Sequence, residues 1–156
     1  MTIEKLENER DLARKNGQAE RLLVLNDLIG KARAKETAGK KKVELTEKMV
    51  NDTLVEYRKM LKDGIAEAPE GHAVRVKYEA QLAVVMEFCP PVMEDEIQIE
   101  NLITLTLYKH DIPISRKTKG KMMSKLKPEF RARYVDMDIA MPIIEFMIAA
   151  AEAADE

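Results

Sequence analysis

Apolar residues in this chain recur at steps of three and four, and that period most narrows what it can fold into. Val50, Leu54, Tyr57, Leu61 and Ile65 follow one another by four, three, four and four positions. Such spacing places side chains on one face of an α-helix. The same period runs through almost the whole chain, broken where glycines and prolines gather. A first amphipathic segment covers Ile3 to Lys15 and stops at Asn16-Gly17, a pair suited to a helix end. Leu22, Leu25, Ile29 and Ala32 mark a second helix over about 18–38, with Gly39 as its terminator. Thr46 has the hydroxyl to cap the third. APEGH at 68–72 separates that helix from a fourth, marked by Val74, Tyr78, Leu82 and Val85, which stops at Cys89-Pro90-Pro91.

Two successive prolines remove two backbone donors and disfavour helix in the residue before them, so the boundary between two lobes is placed there. Beyond it, IENLITLTLYKHDIP at 99–113 alternates at Ile103, Leu105 and Leu107. Alone this suits a strand, but no second alternating segment lies nearby to pair with it, and helix is the reading adopted. Ala140, Ile144, Met147, Ile148 and Ala151 restore helical spacing at the end. A cap at Asp138 would leave Pro142 in the first turn, where a missing donor costs little. The expected fold class is therefore all-α, with an N-terminal helical lobe of about four helices over 1–91 and a smaller C-terminal three-helix bundle over 92–156.

Phe, Trp and Tyr make up only 4% of the 156 residues, so the core must be aliphatic and rich in methionine. Five of the ten methionines, Met122, Met123, Met137, Met141 and Met147, fall in the last third. They are read as core filler, or, if exposed, as an adaptable protein-binding surface. The single cysteine excludes an intrachain disulfide, and the N-terminus lacks the apolar run of a secretory signal. A reducing cytoplasm is the expected compartment. No membrane span is expected, because the longest apolar stretch, 139–151, is interrupted by Pro142 and Glu145 and is shorter than the roughly 20 residues a span needs.

The formal net charge is −2 at pH 7, yet the charge is segregated. Residues 116–133, RKTKGKMMSKLKPEFRAR, carry eight basic side chains against Glu129 alone. On a helix Lys117, Lys121 and Lys125 form a ridge opposite a keel of Met122, Met123 and Leu126. Pro128 is expected to end that helix, leaving Arg131 and Arg133 in the connection. A second stretch, 31–42, has six basic residues against Glu36. Segregated cations make a local positive field, for which phosphate backbones are the natural large anion. The candidate RNA contacts are Lys117, Lys119, Lys121, Lys125, Lys127, Arg131 and Arg133, with Lys31, Arg33, Lys35, Lys40, Lys41 and Lys42. A solvated amphipathic helix would show the same spacing. With so few aromatics, contact is expected with phosphates and shape, not stacked bases.

Machinery for other chemistry is not legible. His72 and His110 stand far apart, in no metal-ligand spacing with cysteine or carboxylates; each is read as exposed or capping. Cys89 has no nearby histidine and reads as a structural thiol. Gly120-Lys121 is followed by methionine where a phosphate-binding loop needs Ser or Thr. Glu94, Asp95 and Glu96 read as first-turn acids facing a helix dipole. No catalytic residue, metal or cofactor is expected.

Three stretches, ARKNGQAERLLVLNDLIGKARAKE (13–36), VVMEFCPPVMEDEI (84–97) and GKMMSKLKPEFRARYVDM (120–137), resemble the GatB/YqeY family in order and spacing, over nearly the whole chain. Its members are similar to the C-terminal tail of the B subunit of the tRNA-dependent amidotransferase. The resemblance implies an all-helical fold with an N-terminal lobe and a smaller C-terminal bundle, and a tail that helps to hold the body of the tRNA without performing the chemistry. It makes Lys121, Lys125, Lys127 and Arg133 the matching positions for RNA contact. The chain departs from the family at Ala132-Arg133, where Gly-Arg is usual. The sequence therefore suggests a non-enzymatic module that binds tRNA or other structured RNA. The alternative is a protein-interaction adaptor or inhibitor using the methionine-rich C-terminal lobe.

Overall fold

The computed structural model describes residues 1–154, and among them the protein is all-α, with seven helices. These are α1 (Ile3–Lys15), α2 (Ala19–Thr37), α3 (Glu47–Glu67), α4 (Ala73–Met86), α5 (Glu96–Lys109), α6 (Lys119–Ala132) and α7 (Met137–Ala154). Their contacts group into two compact units, Met1–Pro90 and Pro91–Glu156.

In the first unit, α1 packs on α2 and α3 on α4, and α2 also meets α3 and α4. Local chemistry sets the ends. Thr46 Oγ1 accepts from the Met49 amide at 3.2 Å, and His72 Nδ1 accepts from the Val74 amide at 3.2 Å, each serving one of the donors a helix start leaves over. Gly17, at φ 66°, turns the chain out of α1 while the Gln18 amide donates back to the Ala13 carbonyl at 2.9 Å, the Schellman closure. The periodic residues Val50, Leu54, Tyr57 and Leu61 are buried with Leu6, Leu25, Leu28 and Val85. Gly64 lets α4 approach α3: a Cβ there would lie 2.7 Å from the Tyr78 ring.

In the second unit, α5 packs against both α6 and α7. Asp95 caps α5 by accepting from the Gln98 amide at 2.9 Å. The strand-like alternation of α5 has a simple origin. Ile99, Ile103 and Leu107 are buried, but so is the polar Thr106, whereas Leu105 is 67% exposed. Among the described residues extended pairing occurs elsewhere, as an isolated parallel bridge of Met93 with Val135. There the Met93 amide donates to the Tyr134 carbonyl at 3.1 Å and the Asp136 amide to the Met93 carbonyl at 3.0 Å.

Three local expectations are corrected. Pro128 does not end α6, which continues to Ala132. The carbonyl that loses its donor belongs to the exposed Ser124, where water can serve it, while Phe130 enters the core one turn after Leu126. Burying that ring stabilises by roughly 1.5–3 kcal/mol, comparable with the ~3 kcal/mol an interior proline costs. Lys117 precedes α6 instead of lying on it. Finally, α7 begins at Met137 and is capped by Asp136, whose Oδ1 accepts from the Asp138 amide at 2.9 Å. Pro142 therefore stands in the second turn. A tight turn follows α6: Tyr134 takes φ 49° and the Val135 amide donates to the Phe130 carbonyl at 2.9 Å.

Candidate functional site

The basic segment starts on a turn held by hydroxyls. Thr118 Oγ1 donates to the Pro113 carbonyl, and the Thr118 amide donates to Ser115 Oγ at 3.3 Å, which fixes the chain carrying Arg116 and Lys117 as it enters α6. The Thr118 side chain is thus turned back and does not cap α6. Within α6, Met122, Leu126 and Phe130 are buried at steps of four and Met123 packs beside them. That keel fixes which way the other residues point.

On the opposite side three ridges of i, i+4 spacing run next to one another. Lys121 and Lys125 form one, Gly120, Ser124 and Pro128 the middle one, and Lys127 and Arg131 the third, and all seven residues are exposed. The result is a smooth strip of small residues with two cations along each edge. Successive cations on a ridge are about 6 Å apart along the axis.

Ion pairing then divides the predicted contacts. Lys119 pairs with Glu145 of α7 and Arg133 with Glu129 one turn before it. Arg116 Nε stands 3.7 Å from Glu152, and its amide donates to the same carboxylate at 3.1 Å. The hydrogen bond from Lys119 holds the Glu145 carboxyl below its ordinary range. Among the described residues, Lys117, Lys121, Lys125, Lys127 and Arg131 have no carboxylate within ion-pair distance.

The second basic stretch is sorted in the same way. Arg33 on α2 pairs with Glu7 and, at 3.6 Å, with Glu36, and its guanidinium is held in the charged form chiefly by the Glu7 hydrogen bond. Lys35 pairs with Glu56 at 2.9 Å. Lys31 lies 4.0 Å from Asp27 and over the Tyr57 ring at 5.7 Å. These three side chains tie α2 to its neighbours. Lys40, Lys41 and Lys42 stand in the exposed connection between α2 and α3, without an ion pair among the described residues. The two basic stretches belong to different units.

Of the C-terminal methionines, Met122 is buried and Met123, Met141 and Met147 pack against the core; only Met137 is substantially exposed. The exposed apolar residues of this unit are instead Ile97, Leu105 and Tyr108 on α5 and Phe146 on α7, which no helical stripe in the sequence singled out. Among the described residues no cluster of His, Cys, Asp and Glu could hold a metal ion, and no helix is long and apolar enough to cross a membrane. A search against protein-family models finds no match for the chain, and no curated protein matches it.

Proposed function

We propose that the protein is a non-enzymatic RNA-binding module of the GatB/YqeY type, gripping the phosphates of tRNA or another structured RNA with the outward face of α6. One observation carries the reading: Lys121, Lys125, Lys127 and Arg131 project from one helix face without carboxylate partners, around a strip too small-sided to hold a backbone away. Four phosphate contacts imply a slope of log K against log salt near −0.9 per contact, so affinity for tRNA should fall about 100-fold between about 50 and 200 mM salt. A complex insensitive to salt over that interval would refute the reading.

The adaptor reading rests on a different observation. Ile97, Leu105 and Tyr108 are 71%, 67% and 86% exposed, and helical spacing places them on one side of α5, away from its buried residues. It requires that the I97S/L105S/Y108S variant lose a protein partner while keeping any RNA affinity; RNA loss in that variant would count against separate surfaces.

A further inference from the structure

We infer that Glu145 and Glu152 of α7 are built-in competitors for RNA phosphate, occupying Lys119 and Arg116 and confining the binding surface to the outward ridges of α6. The inference rests on the RNA-binding reading and adds a control on it. The two carboxylates are seven residues apart, hence on one side of α7, and each reaches the start of the basic segment. Glu145 takes the Lys119 ammonium, and Glu152 takes both the guanidinium and the amide of Arg116. The packing of α7 on α5, with Ala140, Ile144 and Ile148 buried, fixes this placement.

A cation already matched to a fixed carboxylate brings little net charge to a phosphate and so releases few of the counterions condensed on the RNA, which makes its contribution to the salt-dependent part of binding small. All four side chains remain partly solvent-exposed, between 37% and 70%, so the pairs are exchangeable and not locked. Lys119 stands in the first turn of α6 and Arg116 just before it, so a phosphate reaching that end of the helix can displace these carboxylates but must compete with a tethered anion. The carboxylates thus set how many of the eight basic residues of 116–133 act on RNA at a given salt concentration.

The test compares tRNA binding across a salt series for the full chain, the E145Q/E152Q variant and an E96Q/E100Q control. The control makes the same change in charge on α5, where neither carboxylate takes part in an ion pair among the described residues. Unmasking two cations should steepen the loss of affinity between about 50 and 200 mM salt by about a further tenfold, with the control unchanged. In the unsubstituted chain, R116Q/K119Q should cost less than threefold in affinity at 200 mM salt. Equal effects of the two carboxylate pairs, no effect of either, or a large loss in R116Q/K119Q would overturn the inference and leave the RNA reading standing. Salt-independent binding by the unsubstituted chain would overturn both.

Discussion

Gly64 offers a test in which two opposing effects have separate signs. Replacing a glycine in a helix interior by alanine contributes about 1 kcal/mol through backbone propensity, if the new methyl group has room. At Gly30, within α2, nothing lies within 4 Å of the added Cβ, and G30A should stabilise by about that amount. At Gly64 the same Cβ would meet Tyr78 Cε2 at 2.7 Å and Cδ2 at 2.9 Å. Tyr78 is half-buried against the core, so its ring must move, at a cost of about 1–3 kcal/mol for overpacking. The net for G64A is then a loss of about 0–2 kcal/mol, and the two alanine variants differ by about 1–3. Because 1 kcal/mol moves Tm by roughly 4–8 °C in a domain of this size, thermal melts followed by far-ultraviolet circular dichroism resolve the difference. Removing the ring completes a double-mutant cycle: in a Y78A background G64A should recover the gain seen at Gly30. A G64A variant as stabilised as G30A, or a cycle without coupling, would refute close approach of the ring as the reason for the glycine.

Further outcomes follow from the second unit. Asp111 adopts φ 52° at the Schellman end of α5, where the Ile112 amide donates to the Leu107 carbonyl at 3.0 Å; relieving left-handed strain, D111G should stabilise by about 0.5–1 kcal/mol in urea unfolding. F130A should cost about 3–5 kcal/mol by the same assay, whereas a change near zero would mean that α6 does end at Pro128. Since Lys119 lowers the Glu145 pKa from its ordinary 4.5, the ion pair favours folding above that ordinary value, and its contribution is lost as pH falls through the lowered one. Carboxyl carbon NMR should place the Glu145 midpoint below the ordinary value in the unsubstituted protein and higher in K119Q.

The helices were legible because each carries its own local signals: the burial of Val50, Leu54, Tyr57 and Leu61 at steps of four and three, the Thr46 cap, and Gly17 after α1. Failures occurred where burial overrode a local rule. Pro128 reads as a stop until Phe130 is found to be worth burying beyond it. Asp138 reads as the better cap because it spares Pro142, yet the bridge of Met93 with Val135 fixes the chain one residue before Asp136, which takes the cap. The site was legible as charge but not as available charge. Counting lysines cannot reveal that Lys119 is held by a carboxylate 26 positions away, or Arg33 by one equally distant. Those partners are assigned by packing, and packing also separates Lys121, Lys125, Lys127 and Arg131 from the paired side chains.

The central claim is that these four cations form the RNA-binding surface while the keel behind them holds the fold. Fluorescence-anisotropy binding of labelled tRNA to K121Q/K125Q/K127Q/R131Q, alongside its thermal melt, tests it most directly. Exposed side chains away from special contacts change stability by about 0.5 kcal/mol or less each, in either direction, so the variant should remain folded, with its melt within about 10 °C of the unsubstituted protein. Its tRNA affinity should fall at least about 100-fold near 50 mM salt, and the salt dependence should nearly vanish. A folded variant that binds tRNA with unchanged affinity and unchanged salt slope would contradict the account.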